Sequence, residues 1–165
     1  MGEYGVVTAG IAAELAEIVG PQGVIYGQPE RMLAYAHDEV AGEEHAHLPD
    51  VVVKPETAVQ VAAVMRLANR ERIPVTPRGG GTGLSGGAVP VRGGIVLSVE
   101  RMNRILEVDR ENMAITVEPG VVTNEINLEV QKYGLFYAGY PMSLESCFVG
   151  GNVAENAGGG RAIKY

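Results

Sequence analysis

Residues 73–87 read Ile-Pro-Val-Thr-Pro-Arg-Gly-Gly-Gly-Thr-Gly-Leu-Ser-Gly-Gly, an apolar strand pattern that runs directly into glycine. Six glycines fall within residues 77–87, whereas a plain turn needs one or two. Ordering so much flexible backbone is costly unless a ligand or a close contact fixes it. Successive N–H groups on such a backbone can form an anion-binding nest, and Arg78, Thr82 and Ser85 add a cation and hydroxyl donors. The stretch therefore predicts a pyrophosphate-binding loop, with a tight surface turn as the alternative.

The same loop contains a misleading motif. Residues 81–86 match G-x-G-x-x-G, and Glu100 stands about where a ribose-binding acid would follow in an NAD site. A Rossmann loop must open a helix, but residues 88–94 contain Pro90, Gly93 and Gly94 before the next strand pattern. We therefore exclude NAD.

The segment before the loop has the pattern of a βαβ unit. Val51–Val53 reads as a buried strand, and Thr57 with Gln60 forms a capping box that opens a helix. A second strand, residues 73–76, is expected to pair in parallel with the first. The residues expected on the inner helix face are Val61, Val64, Met65 and Ala68.

The N-terminal part carries helix signals and a polar loop. Thr8 is expected to cap a helix that ends at Gly20, with Ile11, Leu15, Ile18 and Val19 on one face. Residues 29–48 read as a short helix and then a loop, and we place a boundary there, giving a helical segment 1–45 and a main domain 46–165. The loop holds His37, Asp38, Glu39, Glu43, Glu44, His45 and His47, but the irregular spacing favours a solvated loop, and no metal site is predicted.

Downstream, the pattern indicates an α+β fold. Three β-like runs, 95–99, 105–108 and 113–117, predict an antiparallel meander. Thr123 is expected to cap a helix through Lys132, which Gly134 ends. We therefore expect a small βαβ subdomain followed by a mixed or antiparallel sheet flanked by helices.

Residues 149–160 form a second glycine cluster that also carries side-chain amides. Alone it would be read as a hinge. Two such loops in one small domain are better explained by one long cofactor between them, since a dinucleotide offers a diphosphate and a ring to approach. FAD has this reach, although a mononucleotide or no ligand remains an alternative.

Composition bounds the remaining options. The chain has 165 residues, a net charge of −7 and one cysteine, so a nucleic-acid surface, an internal disulfide and a cysteine-based zinc site are not expected. No signal peptide or apolar run long enough for a membrane span is visible. A cytoplasmic location is the expectation.

Several motifs in order carry a family resemblance: residues 77–87, 117–120, 149–159 and Lys164-Tyr165. Together they resemble the PCMH-type FAD-binding domain of the vanillyl-alcohol-oxidase-type flavoproteins, and within it the D-lactate dehydrogenase and glycolate oxidase flavin-subunit group. The similarity runs from about Tyr35 to Tyr165.

The resemblance implies a cofactor site made mostly of backbone. Residues 79–82 would hold the pyrophosphate, and residues in the region 141–158 would approach the flavin or ribityl chain. Thr82 stands near the position where covalent members have histidine, so non-covalent FAD is expected, and a linkage through Cys147 is the minor alternative. Phe148 replaces a threonine common in relatives, which removes a hydroxyl donor. The predicted cofactor-binding residues are Pro77, Arg78, Gly79, Gly80, Gly81, Thr82, Gly83, Leu84, Ser85, Gly86, Pro119, Gly120, Pro141, Ser143, Gly150, Gly151, Asn152, Asn156 and Gly158.

The resemblance also implies an activity. Family members oxidise a 2-hydroxy acid such as D-lactate or glycolate to the 2-oxo acid, passing hydride to flavin N5. An electron-transfer flavoprotein, an iron-sulfur subunit or a quinone then accepts the electrons. The catalytic residues would lie in a later cap domain, so we expect this chain to be truncated and inactive by itself. The alternatives are a non-catalytic flavin-binding or electron-transfer module and a relative such as an alkyl-glycerone-phosphate synthase.

Overall fold

A computed structural model describes residues 4–42 and 45–165. The helices are α1 (Ala9–Val19), α2 (Pro29–Met32), α3 (Ala58–Glu71), α4 (Thr123–Gln131) and α5 (Val149–Ala154), with 3-10 turns at Pro21–Gly23 and Leu33–Tyr35. The strands are β1 (Val24–Tyr26), β2 (Val51–Val53), β3 (Val75–Arg78), β4 (Ile95–Ser98), β5 (Ile105–Asp109) and β6 (Ala114–Val117). The α+β class predicted from the sequence is confirmed.

The main sheet has the order β1-β2-β4-β3. β4 pairs in parallel with both β2 and β3, and β1 is antiparallel to β2. The predicted strands β2 and β3 are thus parallel, but they are not neighbours, because β4 lies between them. Since parallel strands end at the same edge, Arg78 and Ser98, which are register partners, finish side by side.

The predicted three-stranded meander is wrong. Only β5 and β6 form an antiparallel hairpin, with a register shift between Ile105 and Glu107. β4 belongs instead to the main sheet, where all four of its residues are buried. The apolar run at residues 95–97 suits this place, because other elements cover the strand on both faces.

The core has three parts. One face of the main sheet packs on α1 and α3 through a cluster that includes Leu15, Val64 and Ile95, and the other face packs on Met32 and Tyr35. The third cluster joins the hairpin to α4 and α5 around Val121, Ile126 and Val149. The two short segments after β4 and after β6 join these parts, since Gly120 N donates to Met102 O over 2.7 Å.

The helix signals were mostly correct. The Thr8 hydroxyl accepts from Ile11 N over 3.3 Å, and the Thr57 hydroxyl accepts from Gln60 N over 3.2 Å. On α3, Met65 is exposed rather than inward, and Leu67 takes the buried place. Thr123 is not a cap: Val122 occupies that position, and Thr123 is the buried first residue of α4.

The second glycine cluster is not a loop throughout. Residues 149–154 form α5, a short helix, and the irregular part begins only at Glu155. Glu43 and Glu44 of the predicted polar loop lie outside the described residues.

Candidate functional site

A cavity of about 280 Å³ lies beside the end of β3, between the glycine loop (residues 79–87) and the segment 141–157. The loop leaves β3 and reaches β4 without forming a helix, as its glycines and prolines predict. Both predicted glycine clusters therefore contribute to one cavity. Its lining residues are Asp38, Pro77, Arg78, Gly79, Gly80, Gly81, Thr82, Gly83, Ser85, Gly87, Ala88, Val99, Pro119, Pro141, Ser143, Cys147, Phe148, Gly150, Gly151, Asn152, Ala154, Glu155 and Ala157.

The two glycine clusters touch each other at the base of this cavity. A Cβ at Gly80 would lie 2.5 Å from the carbonyl oxygen of Ser146, and one at Gly79 would lie 3.6 Å from Gly151 N. Gly150 is likewise pressed against Pro119, where a Cβ would lie 2.7 Å from the proline Cβ. The segments approach this closely because the glycine on one side of each contact carries no Cβ.

The start of the glycine loop presents unused donors. Within residues 4–42 and 45–165, the backbone N–H groups of Gly79, Gly80, Gly81, Thr82 and Gly83 donate no hydrogen bond to the protein. All five residues are half-buried and line the cavity. A run of consecutive half-buried donors in glycine-rich backbone is a binding site for an anion.

Arg78 does not point its donors into the cavity. Its guanidinium donates to His37 O over 2.7 Å and to Ala34 O over 2.9 Å, and it lies 5.7 Å from the centre of the Tyr35 ring. Burial lowers the pKa of Arg78, although Tyr35, Asp38 and Glu100 act in the opposite direction. The residue thus fixes the segment before β2 beneath the loop and leaves a positive charge next to Gly81.

Asp38 is a site residue that the sequence reading missed. Its carboxylate accepts from Gly86 N over 2.9 Å and from Val40 N over 3.0 Å, and only 5% of the residue is exposed. It therefore holds the far side of the glycine loop. The contact joins residues 48 positions apart, so no local pattern in the sequence signals it.

Glu155 is the second residue that was missed. It follows α5, and its carboxylate accepts from the Ser85 hydroxyl over 2.9 Å. Ser85 therefore links the glycine loop to the opposite wall, and its hydroxyl is engaged with a carboxylate rather than free.

Most of the predicted site residues line the cavity, but five do not: Leu84, Gly86, Gly120, Asn156 and Gly158. Leu84 is exposed, and Gly86 turns the loop with φ +75° while donating to Asp38. Gly120 packs under the Val99 carbonyl. Asn156 adopts φ +56° after α5, and Gly158 O accepts from Tyr140 N over 3.0 Å.

A half-buried polar network lies at the carboxyl edge of the sheet. Glu100 accepts from Lys54 Nζ over 2.8 Å, and from the hydroxyls of Tyr35 and Ser98 over 2.9 Å each. Burial would raise the pKa of Glu100, but these hydrogen bonds outweigh it, so the pKa lies below its ordinary value. Burial likewise opposes the charge on Lys54, and its bonds to Glu100 and Tyr35 nevertheless raise its pKa. The Glu100 carboxylate is therefore ionised and holds three hydrogen bonds within the protein.

Residues 49–165 match the family model described as "FAD binding domain". The chain belongs to this FAD-binding domain family. FAD is its cofactor, as the two glycine clusters predicted.

Two curated relatives align with nearly the whole chain. The glycolate oxidase subunit GlcD of Bacillus subtilis is 37% identical over 96% of the chain, and a D-lactate dehydrogenase of Anaerostipes hadrus is 42% identical over 99%. The chain spans about a third of the length of these relatives, 33% and 34%.

Solved structures show the same architecture. The p-cresol methylhydroxylase structure is 28% identical with a TM-score of 0.68, covering 80% of this chain and 28% of its own. An alkyldihydroxyacetonephosphate synthase superposes with a TM-score of 0.85 over 100% of this chain and 32% of its own, at 22% identity. The likeness to the synthase shows the fold alone, and the predicted vanillyl-alcohol-oxidase-type fold is confirmed.

The residues present fit FAD. The five unused N–H groups and the charge of Arg78 suit its diphosphate. A Cβ at Gly83 or Gly151 would meet nothing within 4 Å, so both leave open space in the cavity wall.

Among the described residues, none of the helices is long and apolar enough to cross a membrane.

Proposed function

We propose that this domain binds FAD non-covalently in the cavity between the glycine loop and residues 141–157, with the diphosphate on the N–H groups of residues 79–83. The single observation that carries the proposal is this run of five donors without protein acceptors, facing a cavity. The second wall, with Pro141, Ser143 and Gly150 to Asn152, then faces the ribityl chain and the flavin.

Non-covalent attachment is supported by the lining residues. Thr82 carries no group that bonds to flavin carbon. Cys147 lines the cavity, but it is buried and its Sγ–H donates to the Thr123 hydroxyl over 3.2 Å. A thiol held in this way acts as a small packed side chain.

The proposed reaction of the whole protein is oxidation of a 2-hydroxy acid, of the D-lactate or glycolate type, to the 2-oxo acid. The support is the similarity over nearly the full chain to proteins named glycolate oxidase subunit and D-lactate dehydrogenase. Bound FAD would supply the hydride-accepting chemistry. The proposed partners are a small 2-hydroxy acid and a separate electron acceptor: an electron-transfer flavoprotein, an iron-sulfur subunit or a quinone. The proposed location is the cytoplasm.

Binding is tested by titrating the chain with FAD and following flavin fluorescence. Gly80 is a poor site for a blocking variant, because any side chain there would strike Ser146 O. Gly83 is better, since a Cβ meets no atom there and its φ lies outside the left-handed region. Gly83→Asp places a carboxylate beside the diphosphate and should weaken FAD at least about tenfold by like-charge repulsion.

Three controls isolate the charge. Gly83→Ala should stay within about threefold of the unmodified chain, since it adds bulk without charge. Gly160→Asp makes the same change at an exposed glycine outside the cavity, where a Cβ also meets nothing, and it should leave binding unchanged. Riboflavin, which lacks the diphosphate, should not distinguish Gly83→Asp from Gly83→Ala. Equal FAD affinity in all variants would contradict the placement of the diphosphate.

The substrate class is tested on the flavin-loaded protein purified from its native source. Under anaerobic conditions, D-lactate or glycolate should bleach the visible flavin absorbance, and L-lactate should not. Bleaching by none of these acids would overturn the substrate proposal and leave FAD binding intact.

A further inference from the structure

Thr123 lies at the centre of a buried polar group between α4 and α5. Its Oγ1 donates to Cys147 O over 3.2 Å, and it accepts from the Cys147 thiol over 3.2 Å and from Asn152 Nδ2 over 2.5 Å. A hydroxyl has one donor and two acceptor lone pairs. All three are therefore used, in a residue that is fully buried.

This arrangement fixes the orientation of the Asn152 amide. Because the Thr123 proton goes to Cys147 O, Thr123 can only accept from Asn152, so the nitrogen of the amide must face Thr123. The amide oxygen, Oδ1, then faces away from Thr123. Within the described part of the chain, no group donates to Asn152 Oδ1.

Asn152 also lines the cavity, and only 8% of it is exposed. Asn152 Oδ1 is not among the buried side-chain atoms that lack a partner, so this oxygen opens onto the cavity and is free to accept a hydrogen bond from a ligand there. FAD carries suitable donors, namely the flavin N3–H and the hydroxyls of its ribityl and ribose groups. Asn152 Oδ1 on α5 can therefore accept a hydrogen bond from an N–H or O–H group of FAD, and it cannot pair with an acceptor atom of FAD.

We propose that Thr123 is a positioning residue for FAD: it holds the Asn152 amide so that Oδ1 accepts a hydrogen bond from a donor group of the bound cofactor. The inference rests on the cavity as the FAD site. Thr123 itself does not line the cavity, so its effect on FAD passes through Asn152.

The test is a double-mutant cycle on FAD affinity with Thr123→Val, Asn152→Ala and the double variant. Thr123→Val keeps the shape and removes the hydroxyl, so it should weaken FAD by about tenfold, the value of one well-placed hydrogen bond. Thr123→Ser keeps the hydroxyl and should stay within about threefold. In the Asn152→Ala background, Thr123→Val should change FAD affinity by less than about twofold, because no amide remains to be positioned.

A purely structural role gives a different result. If Thr123→Val weakens FAD equally with and without Asn152, Thr123 acts through the fold and the proposal is overturned. Should Thr123→Val fail to fold, Thr123→Ala replaces it in the same cycle, and urea unfolding of each variant confirms that folded protein is compared.

Failure of this inference is distinguishable from failure of the proposed site. If Asn152→Ala binds FAD like the unmodified chain while Gly83→Asp does not, the cavity holds FAD and the positioning proposal is wrong. If the unmodified chain binds no FAD, both are wrong.

Discussion

At the scale of single residues, Gly81 shows how the loop conformation depends on what lies beneath it. Its φ is +71°, a region that side chains avoid, and a Cβ there would collide with the Arg78 guanidinium. The same guanidinium is held by His37 O and Ala34 O, so it cannot move aside without losing both bonds. The glycine is needed for conformation and for space.

Gly81→Ala should therefore destabilise the domain by about 2–4 kcal/mol, which combines left-handed strain with the displaced arginine. Gly27→Ala is the matched control, since Gly27 has φ +65° but open space around a Cβ, and it should cost only about 1–2 kcal/mol. Urea unfolding measures both. Equal losses would mean that Arg78 moves aside without cost.

At the scale of elements, α1 lies on the N-terminal side of the predicted domain boundary but packs in the core of the main sheet. The sequence predicts a separate helical segment, 1–45, and the family model begins only at residue 49. In the structure, Leu15 and Val19 of α1 belong to the same buried cluster as β2, α3 and β4. The boundary itself stays a prediction, which one substitution can test.

Leu15→Ala should lower the free energy of unfolding of the whole domain by about 2–5 kcal/mol, because it opens a cavity in that shared cluster. The unfolding should remain a single transition. Val59→Ala removes two methyl groups from the exposed side of α3, where the residue is 76% exposed, and should change stability by less than about 0.5 kcal/mol. A separate early transition in Leu15→Ala, with the rest of the domain unaffected, would support an independent segment.

At the scale of the whole molecule, the network of Glu100 with Lys54 and Tyr35 makes stability depend on pH. Burial opposes ionisation of Glu100, but hydrogen bonds from Lys54, Tyr35 and Ser98 lower its folded-state pKa below the ordinary value. The unfolded chain then binds the proton more readily. The stabilisation is therefore present above the unfolded carboxylate pKa of about 4.3, and it is lost as pH falls through the folded value.

Glu100→Gln should accordingly be less stable than the unmodified protein at neutral pH, and its stability should fall less steeply below about pH 4. Urea unfolding at a series of pH values measures this slope. Glu17→Gln, a change at an exposed position on α1, serves as the control and should follow the unmodified protein. An unchanged acid slope in Glu100→Gln would show that the network does not set the pH dependence.

The sequence by itself determined the local elements and the kind of site. Thr8 and Thr57 predict helix starts, because their hydroxyls can cap the first turn. The glycines after β3 predict an anion-binding site made of backbone N–H groups. These signals act within a few residues, so they can be read from spacing. The family resemblance predicts FAD as the cofactor, because the family's motifs occur in order along the chain, and the match to the FAD-binding family confirms it.

Only the tertiary structure decided how these parts meet. Nothing in the periodicity of β4 says that it lies between β2 and β3, since an apolar run fits either a buried parallel strand or a hairpin. Asp38, Glu155 and the Thr123–Asn152 pair act across 29 to 70 positions of sequence. Hydrogen bonds between residues so far apart in sequence depend on how the backbone packs, and they produce no periodic pattern in the sequence. The residues that form the walls of the cavity could therefore be identified only from the tertiary structure.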